Sequence, residues 1–484
     1  MRCPKDQTFW DRDDLLALVA SLREHVVSLQ EQVVSLQDRV ERLTAVTEGL
    51  SKEIADLRRA GKRQAAPFAK GTRATNPKRP GRKPGKGSFS YRKPPSADEV
   101  TGAPVGVKVT GDTCPVCGGK LQHERVDVAY VSDVPPTPQP VVTEFRVQVC
   151  RCMSCGKQVR GRHPDVAADQ YGASAHRIGR RAMAAAHVLH YGVGVPVRKV
   201  PEVLKVLTGL DVTQGAITQD ALRRAGGAVG SVYDRLRASI RDSRAVHTDD
   251  TGWRVGGEPA FLMAFETEEA TVYQVRPRHR NEEVREVVPS DYGGVMVTDR
   301  GRSYDSQTLA RVKQQKCMAH VLRSISDVVE TKNGRGRSFG NRLKGLLREA
   351  MELWGAYHRG EAVDFAAAAE RLRREVAYHL RDRPMTDPDN WRLQNELGWH
   401  NDRGNLLRFL DDPNIEPTNN RAERALRPAV IARKVSHCSK NTQGAEAFAA
   451  FTSVLRTLAR NGDQSLVEGI SQVFRAAPVR ASPL

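Results

Sequence analysis

The chain has 484 residues and a formal net charge of +19, from 76 Lys and Arg against 57 Asp and Glu. That length accommodates several domains, and that charge calls for a polyanionic partner such as nucleic acid. No apolar run approaches the roughly 18 residues of a membrane span, and the leading MRCPKDQTFWDRDD is too polar for a secretory signal, so the expected setting is cytoplasmic and nucleoid-associated, with no membrane partner.

The first predicted element is a heptad repeat over residues 11–59. Leu15, Leu22, Leu29, Leu36, Leu43, Leu50 and Leu57 recur every seven residues, and Val19, Val26, Val33, Val40, Thr47 or Ile54 follows each of the first six by four. Leu at d with β-branched residues at a favours a parallel two-stranded coiled coil, hence a homodimer joined along roughly 65 Å. The competing arrangement is one amphipathic helix packed on its own protein. A globular helix of more than about forty residues is rare.

Residues 60–105 are expected to be a basic linker. They are rich in Gly, Pro and cations, with no acid between Asp56 and Asp98, and KRPGRKPGKG places Arg82 and Lys83 as candidate DNA contacts. Such a composition cannot build a core but can track phosphates, with salt-dependent affinity.

The zinc-binding module, expected over 106–165, rests on CPVCGG and CRCMSCG. Cys114, Cys117, Cys152 and Cys155 form two C-x-x-C pairs, each with a following glycine, that can close a tetrahedral thiolate site for a structural Zn²⁺; Cys150 is a rival fourth ligand. Reduced thiols in this setting favour metal over disulfides. Residues 166–242 read as a helical, helix-turn-helix-like region, with a first helix ending near Gly209 and Thr213 capping a second that offers Gln214, Thr218, Gln219, Arg223 and Arg224. An ordinary helical bundle has the same outline.

From residue 243 the period changes to two. AVHTDDTGWRV, AFLMAFET and TVYQVRP predict an antiparallel meander, a polar helical stretch follows over 280–288, and GGVMVTD predicts an apolar strand ending at Asp299. A right-handed crossover lays that fourth strand parallel to one of the meander strands. If its neighbour is the first, Asp249 and Asp299 stand side by side and repel unless a divalent cation bridges them. A third carboxylate would complete an oxygen site for Mg²⁺. Glu423 is the candidate, although Asn420 followed by Glu423 also fits a capping box on a short helix that Pro428 ends or kinks. Around it Arg421, Arg424, Arg427, Arg433 and Lys434 read as contacts to the DNA backbone.

In HTDDTGW, VTDRGRSYD, CMAHVLRS and NNRAERALRPAVIARK, preceded by the leucine repeat, basic linker and paired C-x-x-C, the chain resembles transposases of the insertion sequence 66 family over nearly its whole length. The resemblance implies a multidomain α+β protein whose ribonuclease H-like catalytic core spans 243–436, with a helical insertion at about 305–415 and a helical tail over 437–484. It also implies that Asp249, Asp299 and Glu423 are a DDE triad holding two Mg²⁺ or Mn²⁺. The expected function is binding of the element's terminal inverted repeats, metal-dependent strand cleavage and transfer to target DNA. The expected assembly is a homodimer or higher synaptic complex, with small accessory proteins of the element as further partners. Two positions depart from the family: Asp250 stands where Glu is usual, and Arg300 where Gly is common. Cys317 and His320 match a C-x-x-H signature of related transposases; on a helix they share one face, and packed core positions are the favoured reading, with no metal assigned to them. A dimeric zinc-containing regulator without catalysis is the alternative, predicting DNA binding indifferent to Mg²⁺ and to Asp249→Ala.

Overall fold

The structure, a computed structural model, describes residues 12–62, 94–100, 103–107, 111, 113–122, 125–132, 139–167, 169–362, 364–381, 384–460, 462 and 465–476. Arg82 and Lys83 lie outside the described residues, as do the side chains of Ile54 and Leu57. The chain divides into two compact units, one of Met1–Ala69, Arg224–Leu466 and Ala477–Leu484, the other of Lys70–Arg223 and Val467–Ala476. Helices and a mixed sheet make it α+β, and no helix among the described residues is long and apolar enough to cross a membrane.

The leucine repeat forms one uninterrupted helix, α1 (Arg12–Lys62). Its seam is uncovered: Leu22, Leu29, Leu36 and Leu43 are each more than half exposed.

In the second unit a short hairpin, β1 (Val149–Arg151) and β2 (Gln158–Arg160), pairs Cys150 with Val159. The helical region consists of α2 (Arg180–His187), α3 (Val200–Thr208) and α4 (Gln214–Ala225). α3 stops at Gly209, and Thr213 Oγ1 accepts the Ala216 amide at 3.2 Å as α4 begins. Ala186, Val200, Leu204 and Ile217 make the core of these helices. Beside them a buried His187 Nε2 lies 2.9 Å from Asp220 Oδ2.

The first unit is organised on a five-stranded sheet preceded by α5 (Ala228–Ser239). Strands β3 (Ala245–Val255), β4 (Glu258–Glu266) and β5 (Thr271–Arg276) form the expected meander. After α6 (Asn281–Arg285) the chain crosses to β6 (Val295–Thr298), which pairs parallel with β3 in the register Ala245↔Val295, Val246↔Met296, His247↔Val297. The fourth strand is thus beside the first. Side chains alternate between the two faces: Val246 and Met296 pack with Ile240, Met263, Phe265 and Val284, while Val295 and Val297 join a helical core on the other side. Each such buried aliphatic side chain contributes about 1.5–3 kcal/mol.

One strand was not expected. β7 (Lys313–Lys316) pairs parallel with β6 inside the stretch read as a mostly helical insertion, so the helices of that insertion start only at α7 (Met318–Glu330) and continue as α8 (Arg335–His358), α9 (Phe365–Arg381), α10 (Pro388–Asp402) and the short α11 (Arg408–Asp411). The chain then returns to the sheet through α12 (Asn420–Ser436) and α13 (Thr442–Arg460). Pro428 neither ends nor shortens α12, which runs through it to Ser436.

Candidate active site

Asp249 and Asp299 each stand two residues beyond the last paired positions of β3 and β6, His247 and Val297. Because residues two apart on a strand share a face, Asp249 stands on the same face of β3 as His247, whereas Asp299 follows the last residue of β6. Asp299 leads into a tight turn whose Gly301 amide donates to its Oδ1 at 2.8 Å. A Cβ at Gly301 would lie 2.9 Å from that oxygen and 3.3 Å from the Tyr304 ring, so any other residue here would displace the Asp299 carboxylate from this turn. Asp249 Oδ1 accepts the Asp250 amide at 2.9 Å. Burial pushes the Asp249 carboxyl up to about 6 against that hydrogen bond, and the negative charges of Asp299, Asp250 and Glu423 push the same way.

Glu423 comes from the first turn of α12. The capping box expected from Asn420 is not formed: the residue preceding the helix is Asn419, and no side chain caps it. Instead Asn419, wholly buried, donates its side-chain amide to the Thr248 carbonyl at 2.8 Å and its backbone amide to Cys317 Sγ at 3.2 Å. Tyr273 on β5 adds a second anchor, its hydroxyl donating to the Ala425 carbonyl at 2.6 Å. The start of α12 is therefore fixed to the strand that carries Asp249.

Sequence reasoning took Cys317 and His320 for core positions. Cys317 is buried, as expected, but it is the residue at which α7 begins, and His320 in the first turn of that helix has its Nε2 4.0 Å from Glu423 Oε1. Cys317 sulfur, a His320 ring nitrogen and a Glu423 oxygen all lie within 4.8 Å of one another. Burial pushes the thiol pKa up, but His320 and the Asn419 amide more than reverse this and leave it below the usual thiol value. The adjacent sulfur in turn raises the pKa of His320. Nothing local in the sequence marks this convergence, which joins segments about a hundred residues apart.

Behind Asp299 lies a second polar group. Lys316, fully buried at the end of β7, forms an ion pair with Asp305 Oδ1 at 2.7 Å and donates to Thr298 Oγ1 at 3.2 Å. Arg300 pairs with Glu396 on α10 at 2.7 Å and with Ser324 on α7, tying the turn after Asp299 to the insertion. Asp250 is paired with His279, 2.9 Å away. Among the expected DNA contacts, Arg421 is paired with Glu416 at 2.5 Å and Arg433 with Thr251 at 3.0 Å. Arg424, Arg427 and Lys434 are exposed along the same helix.

The cysteine pairs fold as two matching knuckles. Cys114 and Cys152 donate their amides to Gly119 and Lys157 at 2.8 Å, and Gly118 and Gly156 return to them at 2.8 and 2.9 Å with φ of 73° and 71°, a conformation suited to glycine. Amides of Val116 and Cys117 lower the Cys114 thiol pKa, and those of Cys155 and Ser154 lower that of Cys152, a donor set suited to thiolate ligation. The knuckles are formed separately: no three of the four sulfurs lie within 4.8 Å of one another.

Comparison with known families bears directly on this arrangement: the model described as Transposase IS66 family matches residues 176–447, more than half the chain and all of the sheet and its insertion. The chain belongs to that family. The chain is also 25% identical over 247 residues to y4jD, an uncharacterised protein of Sinorhizobium fredii, a match covering 47% of this chain and 44% of that one. It thus spans less than half the length of that relative.

Proposed function

We propose that this IS66-family protein is a DDE-type transposase that cleaves the ends of its element and joins them to target DNA, with Asp249, Asp299 and Glu423 as its catalytic carboxylates. The observation that carries the reading is that Asp249 on β3 and Asp299 after β6 each follow by two residues the last pair of these parallel neighbours, His247↔Val297, with the Glu423 helix pinned to β3 through Asn419. Three carboxylates whose charges oppose one another, offering only oxygen, suit a hard divalent cation. Two Mg²⁺ or Mn²⁺ bound there would activate a water or 3′-hydroxyl and stabilise the leaving oxygen of an in-line phosphoryl displacement.

The chain's own residues then have distinct tasks. Asn419 and Gly301 hold two of the carboxylates in place, while Arg424, Arg427 and Lys434 present positive charge on the Glu423 helix, where a phosphate backbone can approach. Arg421 and Arg433 shape that surface through their internal partners. Outside the core, α1 pairs two protomers through its exposed leucine seam, and Arg82 and Lys83 add sequence-indifferent affinity. Cys114, Cys117, Cys152 and Cys155 close their two knuckles on one structural Zn²⁺. Mg²⁺-dependent appearance of 3′-hydroxyl ends on labelled element-end DNA tests the proposal. Binding of the ends without any cutting in Mg²⁺ or Mn²⁺ favours the regulator instead.

A further inference from the structure

We infer that Cys317, His320 and Glu423 form a second metal site, selective for a thiophilic divalent cation of the Zn²⁺ class, and that filling it withdraws Glu423 from Asp249 and Asp299. The first half stands on local geometry alone; the second rests on the triad reading above.

The donors decide the class of ion. One sulfur, one imidazole nitrogen and one carboxylate oxygen lie within 4.8 Å of one another. Mg²⁺ is held by oxygens and binds soft thiolates poorly, whereas Zn²⁺ takes all three donor types in a tetrahedron and leaves a fourth position for water. Ligand atoms around Zn²⁺ stand about 3.5 Å apart, so the 4.0 Å between His320 and Glu423 has to close by about 0.5 Å. Glu423 can supply that movement, since it is 37% exposed on a long side chain 4.0 Å from His320.

The scaffold favours the ligating forms. Cys317 begins α7 and His320 lies in its first turn, so a rigid helix end sets their spacing. Glu423 lies in the first turn of α12, so two helix N-termini meet at the cluster and favour its anionic ligands. The Asn419 amide already donates to Cys317 Sγ at 3.2 Å, the kind of outer bond that orients a metal-bound thiolate. Nδ1 of His320 is buried with no hydrogen-bond partner. The bond to sulfur and the unpartnered imidazole nitrogen have no use in a site built from oxygens alone.

The test measures zinc retained by the full-length protein after equilibration at buffered free Zn²⁺, in wild type, Cys317→Ser, His320→Gln and Glu423→Gln. The four-cysteine knuckles are the same in all four proteins and cancel. Wild type is expected to hold one equivalent more than Cys317→Ser and His320→Gln, with at least a hundredfold loss of affinity in each and about tenfold in Glu423→Gln. Co²⁺ in place of Zn²⁺ should give wild type a thiolate charge-transfer band that the Cys317→Ser difference spectrum removes. His320 and Glu423 are part-exposed, so their variants keep the fold and the comparison survives if Cys317→Ser does not fold. Equal zinc in wild type and the two Gln variants overturns the site. Zn²⁺ titrated into the Mg²⁺-supported cleavage reaction tests the second half. Half-inhibition should need at least tenfold more Zn²⁺ in Cys317→Ser, measured against that variant's own uninhibited rate. Zinc bound at the site without inhibition leaves the site standing and overturns the withdrawal of Glu423.

Discussion

Asn419 donates its side-chain amide to the carbonyl oxygen of Thr248 at 2.8 Å, and this bond joins the start of the Glu423 helix to the residue before Asp249. Both groups are buried, so removing the donor strands the carbonyl at a cost of about 1–3 kcal/mol. Misplacement of a catalytic group by about 1 Å can cost a hundredfold in rate. Asn419→Ala is expected to lower strand cleavage tenfold to a hundredfold while affinity for element-end DNA stays within twofold, read by parallel cleavage and binding assays. Unchanged cleavage would mean that the bond positions nothing that matters to the reaction.

The exposed seam of α1 makes a separable prediction. Leu29 and Leu36 are 58% and 57% exposed on a helix of 51 residues. Charged residues at two adjacent d positions cannot be buried against a partner helix. Leu29→Asp combined with Leu36→Asp should turn a dimer into a monomer in analytical ultracentrifugation, with the melting of the sheet unit unchanged. A wild-type monomer at all concentrations would remove the coiled coil from the account.

His400 sets a pH dependence. It is buried, and desolvation, then the charge of Lys316, pushes its pKa down to about 4, against the attraction of Asp305 3.9 Å away. In the unfolded chain the value returns to about 6.5. Between these values the unfolded state binds a proton that the folded state excludes, so the stability from neutral His400 is complete above about 6.5 and is lost as pH falls toward 4. Denaturant unfolding at pH 7 and pH 4.5 should show wild type losing up to about 3 kcal/mol more than His400→Gln over this interval. Equal losses in the two proteins would contradict the buried, neutral assignment.

The legible part of the fold was the part whose burial follows apolar patterning. Alternation in β3, β4 and β5 and the continuous apolar run of β6 announce a meander and a crossover, which set Asp249 and Asp299 each two residues past the pair His247↔Val297. β7 carries no such signal because its sequence is KQQK. Its polar side chains are buried through partners distant in sequence: Gln315 donates to the Leu406 carbonyl at 2.8 Å and accepts from the Phe409 amide at 3.2 Å, and Lys316 meets Asp305. The same reason hid Asn419, whose side chain serves a carbonyl on β3 rather than its own helix. His320 was legible as a helical residue, but its approach to Glu423 depends on how the insertion returns to the sheet.

The knuckles bear on metal content. If one Zn²⁺ joins them, Cys114→Ser and Cys152→Ser should each lower bound zinc by one equivalent and weaken DNA binding, with the sheet unit melting at its original temperature. Zinc content equal to wild type in both variants would show that the two pairs do not share an ion.

The central claim is that Asp249, Asp299 and Glu423 act as one unit in phosphodiester chemistry. Its most direct measurement is nicking of labelled element-end DNA in Mg²⁺ or Mn²⁺ by wild type, Asp249→Asn, Asp299→Asn and Glu423→Gln, with DNA binding followed in the same samples. Cleavage should fall at least about a thousandfold in all three variants, with binding retained, since residues that act as a unit are lost together. Cutting by Glu423→Gln at the wild-type rate would contradict the account and leave Glu423 as a surface charge on α12.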